Sequence, residues 1–286
     1  MSPDIHGFYD PATATVSYVV SHPSSRHAAI IDPVLDYEPR AGRVSHGSAD
    51  RIAAHVAAAG LSVDWILETH PHADHLSAGA LLKERLGGTL AIGAGVTAVQ
   101  ETWTAIYNLG AALPADGSQF DHLFADGERF KIGALEAEVW HTPGHTPACV
   151  CYRIGDAVFV GDTLFMPDFG TARADFPGGD AKILYQSIRR ILSLPPETRL
   201  FTCHDYCPGG REVAWETTVG EQRKANKHVR DGVDEAAFVA MRSERDKELD
   251  VPDLLLPAIQ VNLRGGHLPA PEANGTAYLK IPLNRF

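Results

Sequence analysis

Short apolar runs alternating with helical stripes mark the first third of the chain. Residues 15–20 and 28–32 are β-rich runs of strand length, the second closed by the turn signal Asp32-Pro33. Residues 63–68 and 89–92 form two more such runs. Between them, Ile52, His55 and Val56 recur at helical spacing and predict a helix over 50–59, with Ser48 as its N-cap and Gly60 as its stop. A second helix is expected over 76–86, ended by Gly87-Gly88. The middle is richer in strands. Residues 128–132 and 135–140 flank Gly133, and 148–154 and 157–160 flank Gly155-Asp156, so each pair predicts a hairpin. A helix over 183–194 stops at Pro195-Pro196, and 199–202 is the next strand. From 211 to about 249 the pattern is long, polar and helical, and the Pro- and Gly-rich remainder predicts extended loops laid over the body. No repeat and no obvious linker divides the chain. The simplest architecture is α+β: one unit over 1–286, built of two mixed layers of strands flanked by helices, with 211–286 as a helical and extended C-terminal region packed on it.

Composition narrows the class. Hydrophobic residues make up 44% and charged residues 21%, which leaves ample material for a core. The apolar runs are too short to cross a membrane, and the first six residues lack the basic-then-apolar order of a secretory signal. A formal charge of −11 with no Lys/Arg cluster excludes a nucleic-acid footprint. Cys149, Cys151, Cys203 and Cys207 are too few and too unevenly placed for a disulfide framework and read as small buried side chains, which predicts a cytoplasmic protein. Cys149 and Cys151 alternate along a strand, so their thiols face opposite sides and cannot share a metal.

The chemistry concentrates at 69–75, Thr-His-Pro-His-Ala-Asp-His, where His70, His72, Asp74 and His75 crowd into six positions at the end of a strand. Imidazole nitrogen and carboxylate oxygen are the donors that borderline cations such as Zn²⁺ or Fe²⁺ take. Pro71 blocks helical continuation, so the donors can fan out from a turn. A lone His is usually a core or surface residue, but this density is not a chance pattern. Three later donors also follow predicted strands: His145 after the Pro143-Gly144 turn, Asp162 in Gly161-Asp162-Thr163, and His204 in Cys203-His204-Asp205-Tyr206. His141 competes with His145 and is expected to be structural.

Taken in order, THPHADH, HTPGHT at 141–146, GDTLF at 161–165 and HDY at 204–206 resemble the successive motifs of the metallo-β-lactamase superfamily, from about residue 8 to 210. The resemblance implies an αββα sandwich with the metal at one edge of the two sheets. His70, His72, Asp74, His75, His145, Asp162 and His204 would suffice for a binuclear zinc hydrolase of the glyoxalase II type, in which Asp162 bridges two Zn ions, or for a lactone hydrolase. The segment Arg173-Ala174-Asp175-Phe176, the HDY triplet, the stretch 216–223 and the tail 257–266 resemble instead the persulfide dioxygenase branch. The stretch from Asp162 to Arg173 is longer than in the animal enzymes of that branch, with Phe169 and Ala172 near where they have Cys and Gly. That branch implies one Fe(II) per chain, held by His70, His145 and Asp162, with His72, Asp74, His75 and His204 supporting them. Its substrates would be glutathione persulfide and O2, with no nucleic acid or membrane as partner and a homodimer left open. Arg173 is then expected to clamp a glutathione carboxylate, or to pair with Asp175, and Tyr206 to contact the substrate or to pack.

Overall fold

The structure, a computed structural model, describes residues 2–285. The chain opens with three antiparallel strands, β1 (Asp4–Asp10), β2 (Thr15–Ser21) and β3 (His27–Ile31). A small hairpin of β4 (Val34–Glu38) and β5 (Arg43–Ser45) leads into α1 (Gly47–Ala58) and then β6 (Ser62–Leu67). After the His-rich loop come β7 (Leu76–Ser77), α2 (Gly79–Leu86), β8 (Thr89–Gly93), α3 (Val96–Tyr107) and β9 (His122–Phe124). Strands β1, β2, β3, β6, β8 and β9 form one six-stranded sheet in that order, parallel from β3 onward.

The second sheet is built from β10 (Arg129–Ile132), β11 (Leu135–His141), β12 (Val150–Ile154), β13 (Ala157–Phe159), β14 (Arg199–Phe201) and β15 (Glu216–Thr218), adjacent in that order. Only its β13/β14 pair is parallel, because α4 (Ala181–Ile191) crosses over between them. Then follow α5 (Val219–Ala225), α6 (Glu235–Asp246) and α7 (Leu255–Asn262).

Strand alternation decides the layers. On β2 and β3, Tyr18, Val20, Ala29 and Ile31 face Phe130, Val139, Tyr152 and Phe159 of the other sheet. Val19, Ala28 and Ile30 face outward onto α1, α2, α3 and α7. Beyond the second sheet, Val158, Val160 and Leu200 pack on α4 and α6. The result is the expected sandwich of two mixed sheets between helical layers.

Several expected elements differ. Leu76 and Ser77 pair with Leu35 and Val34 as a strand, so the helix begins only at Gly79. Ser77 is pinned there, its N–H donating to Asn262 Oδ1 at 2.7 Å and its hydroxyl bonding Glu68. Ser48 does not cap α1; its N–H and hydroxyl both donate to the carboxylate of Asp36 on β4, at 2.9 and 2.7 Å. An acid from a neighbouring strand thus serves the helix start. The long polar stretch after 211 is broken into β15, α5 and α6, with a capping box of Thr218 and Glu221 starting α5. The tail is not all extended. Pro257 lies in the first turn of α7, where its missing N–H costs no helical bond, and Leu255, Ile259 and Val261 are buried.

Candidate metal centre

Four loops leave strand ends at one edge of the sandwich and carry the donors. His70, His72, Asp74 and His75 follow β6 in the first sheet, whereas His145, Asp162 and His204 follow β11, β13 and β14 in the second. Two close approaches let these loops converge. Gly161 has φ +51, and a Cβ there would lie 2.8 Å from Thr69 Cβ; Gly144 has φ +133, and a Cβ there would run into the backbone of Leu184 on α4.

His70 Nε2 and His145 Nε2 lie 3.7 and 3.6 Å from Asp162 Oδ2. Asp162 Oδ1 faces the other way, 3.4 Å from His204 Nε2, which is also 3.2 Å from Asp74 Oδ2. His72, Asp74, His75 and His204 bring donor atoms to within 4.8 Å of one another, as do His70, His145 and Asp162. All seven donor residues predicted from the sequence are therefore gathered in one place.

The hydrogen bonds behind the cluster fix which nitrogen each ring presents. His145 Nδ1–H donates to the carbonyl of Arg173 at 2.8 Å, leaving Nε2 for a metal. Thr69 Oγ1 donates to Asp32 Oδ2 at 2.9 Å and accepts from His70 Nδ1–H at 3.1 Å. His72 is reversed: Nε2–H donates to Asp32 Oδ1 at 3.0 Å and Nδ1 is left free. Thr15 Oγ1 stands 3.3 and 3.4 Å from the Nδ1 atoms of His75 and His204. His70 Nε2, His72 Nδ1, His75 Nε2, His204 Nε2 and Asp162 Oδ1 are each buried without a hydrogen-bond partner. Unpaired buried polar atoms are costly, and five of them aimed at one spot fit a bound cation.

Electrostatics agrees with that fit. Burial, reinforced by the neighbouring imidazoles, pushes His70 and His72 well below the ordinary histidine range, so both are neutral imidazoles at neutral pH. Burial opposes ionisation of Asp74, but His204 and His75 outweigh it and hold its carboxyl well below the usual range.

Asp32 is legible in the sequence only as a turn residue before Pro33, not as part of the site. It sits with φ +48, buried, and accepts from the Thr69 N–H at 2.7 Å as well as from Thr69 Oγ1 and His72. Asn262 was equally hidden: its Nδ2 donates to the carbonyls of His72 and His75 at 2.8 and 2.7 Å. His141 stands apart, bonded to the Phe124 carbonyl at 2.9 Å. Cys151 bonds Thr142 and Cys149 bonds Thr146, away from each other, while Cys203 Sγ lies 3.6 Å from Asp32 Oδ2.

A cavity of about 460 Å³ opens on the cluster through Asp74, His145 and Asp162. Phe165, Phe169 and Phe176 line it, with Phe176 packed against His145 at 5.3 Å between ring centroids. Tyr206 also lines it, stacked on Phe169 at 4.5 Å. Arg173 reaches it too, but its guanidinium is bidentate on Asp175 at 2.6 and 2.8 Å and donates to the Asp250 carbonyl at 2.7 Å.

The model of the metallo-beta-lactamase superfamily matches residues 10–204. The chain belongs to the metallo-β-lactamase superfamily. Its His/Asp cluster offers the donor set that a metal-binding site of this superfamily requires. A beta-lactamase hydrolase-like protein of Xylella fastidiosa (strain Temecula1 / ATCC 700964) is 58% identical over 99% of this chain, which spans 65% of that relative's length. Glyoxylase B2 of Dictyostelium discoideum is 50% identical, over 98% of this chain and 97% of its own. The mitochondrial persulfide dioxygenase ETHE1 of Homo sapiens is 30% identical, over 90% of this superfamily member and 87% of its own length. The crystal structure of ETHE1 from Myxococcus xanthus superposes with a TM-score of 0.74 at 29% identity, covering 92% of this chain and 100% of that one. Among the described residues no helix is long and apolar enough to cross a membrane.

Proposed function

We propose that the protein is an iron-dependent persulfide dioxygenase, converting glutathione persulfide, O2 and water to sulfite, glutathione and two protons. The observation that carries this reading is the seat of the 173–176 segment. Its Arg173 carbonyl holds His145 Nδ1–H, and its Phe176 ring packs on the same imidazole. The segment that resembles the dioxygenase branch thus positions a metal donor directly.

An Fe(II) bound by His70, His145 and Asp162 would supply open coordination positions for the two reactants. The chain's own part is to arrange what surrounds them. Thr69 and Arg173 hold the two imidazoles in the tautomer that presents Nε2. Phe165, Phe169 and Phe176 make the adjoining cavity apolar, which keeps bulk water from the reacting sulfur. Asp74 and His204 stand 3.2 Å apart beside Asp162 and can hold or pass a proton at the cavity floor. Arg173 and Tyr206 line the route in, where we place them against the substrate.

A second reading has its own observation. The two oxygens of Asp162 face opposite donor sets, Oδ2 toward His70 and His145 and Oδ1 toward His204, which is the disposition of a carboxylate bridging two ions. Two Zn ions so placed would support hydrolysis of a glutathione thioester or a lactone. Metal content and oxygen uptake separate the readings. One iron per chain, with oxygen consumed and sulfite formed one for one from glutathione persulfide, is the expected result. Two zincs, no oxygen uptake and turnover of a glutathione thioester would overturn it.

A further inference from the structure

The cavity has a second pole, away from the metal donors. Arg245 on α6 lines it, exposed and with no ion-pair partner among the described residues, in a chain whose acids outnumber its bases. Lys227 also has no ion-pair partner among the described residues, its Nζ 5.2 Å above the Phe169 ring that lines the same cavity. The two cations are close enough that Arg245 helps depress Lys227, after burial. His228, which lines the cavity and feels both charges, adds a neutral donor. Thr171 N–H donates to its Nδ1 at 3.0 Å, so the ring proton sits on Nε2.

The other arginines on this wall are already committed, Arg173 to Asp175 and Arg242 to Asp246 at 2.6 Å. Cations left without partners in an acidic protein mark a place for an outside anion. The cavity also carries Asp250 and Asp253, both exposed and in no ion pair among the described residues, on the loop after α6. An uncommitted base on the cavity wall, a second above its Phe169 ring, and uncommitted acids on the same wall match a ligand that bears both charges.

We propose that Arg245 and Lys227 bind a carboxylate, and Asp250 and Asp253 the ammonium, of the zwitterionic amino-acid end of a thiol substrate. The inference rests on the reading of this cavity as the substrate site. It moves recognition of the charged end from Arg173, whose guanidinium serves the loop, to α6 and the turn before it.

The test is binding, measured by calorimetry on the metal-loaded protein with S-methylglutathione, its dimethyl ester and its N-acetyl derivative. The free zwitterion should bind roughly tenfold more tightly than either modified form, the discrimination expected for one charge-assisted pair. Arg245→Glu combined with Lys227→Glu should erase discrimination against the ester, and Arg245→Lys should keep it. Asp250→Asn with Asp253→Asn should erase discrimination against the N-acetyl form. Equal binding of all three ligands by the native protein, or discrimination that survives the charge reversals, would overturn the proposal. S-methylglutathione has no persulfide sulfur, so the outcome is independent of the reaction. Discrimination without oxygen uptake leaves this site standing and removes the dioxygenase; oxygen uptake without discrimination does the reverse.

Discussion

A histidine can offer a metal only the nitrogen that is not already hydrogen-bonded, so the acceptors behind the rings decide the site as much as the rings do. Asp32 is the branch point of that arrangement. Its left-handed backbone, an unfavourable conformation for a residue with a side chain, turns the carboxylate toward Thr69 and His72 together. In Asp32→Asn, Oδ1 can still accept from His72, but the new amide would donate to Thr69 Oγ1. The threonine would then donate to His70 Nδ1, and the proton would move to the Nε2 that faces Asp162. Metal affinity should fall roughly 10–100-fold, as is usual when the partner of a ligand is lost. Competition with a chelator measures it, and an unchanged affinity would show that the threonine relay does not set the tautomer. His228 offers a titration away from the donors. Burial, with Arg242, Lys227 and Arg245 adding to it, lowers its pKa to about 3. Below the ordinary value of about 6.5 the unfolded chain therefore takes up a proton that the folded one refuses, and stability falls with pH from there toward 3. The loss is at most about 1.4 kcal/mol per pH unit, less where cavity water screens the ring. His228→Asn keeps an acceptor for the Thr171 N–H and should flatten this part of the pH–stability curve; parallel curves for the two proteins would refute the assignment.

At the scale of elements, the helices packed last in the chain hold the loops that come first. Asn262, at the end of α7, accepts from the Ser77 N–H and donates to the carbonyls of His72 and His75. Its replacement by Ala strands three buried backbone groups, each costing about 1–3 kcal/mol. We expect Asn262→Ala to lower the unfolding free energy by several kcal/mol and to weaken metal binding, whereas loss of stability with metal affinity intact would mean that α7 supports only the fold. On α6, Asp246 accepts from the Ala174 N–H at 2.9 Å and Arg242 donates to the Thr171 carbonyl, so this helix steadies the loop that carries the acceptor of His145. These connections explain what could be read in advance. The donors announced themselves because THPHADH is dense and because His145, Asp162 and His204 each follow an apolar run. Asp32 and Asn262 did not, since an Asp before Pro and an Asn in a Pro-rich tail are ordinary turn residues until tertiary contacts give them partners. The α7 helix was hidden for a related reason: Pro257 suggests a loop, yet in a first turn it costs nothing. Arg173 belongs to the segment that resembles the dioxygenase branch, but its backbone carbonyl, which no side-chain pattern reports, is what touches the donor histidine.

Across the whole molecule, the site is a seam. The first sheet supplies His70, His72, Asp74 and His75 from the end of β6, and the second supplies His145, Asp162 and His204. Apart from the apolar layer between the sheets, this edge is where they meet through groups that repel or desolvate one another when bare. His70 and His145 ring centroids lie 5.1 Å apart and those of His70 and His72 4.0 Å, while Asp162 and Asp74 both lie within 3.4 Å of His204. A cation bound there would neutralise the carboxylates, give the orphaned nitrogens a partner and join the two sheets at once. Because the unfolded chain has no such preformed cluster, most of the binding free energy appears as stability. At free metal about a thousandfold above Kd that is roughly 4 kcal/mol. For a domain of this size such a gain corresponds to a Tm shift on the order of 10 °C. Removal of the metal by a chelator should therefore lower Tm by that amount and readdition should restore it. Hydrogen exchange gives the structural half of the test. Protection should be lost first at the strand ends that carry the donors, β6 and β14, and retained in the centres of β2 and β12, where Tyr18 and Tyr152 are buried between the sheets. Loss of protection spread evenly over both sheets would mean that the metal stabilises the fold as a whole rather than closing its edge.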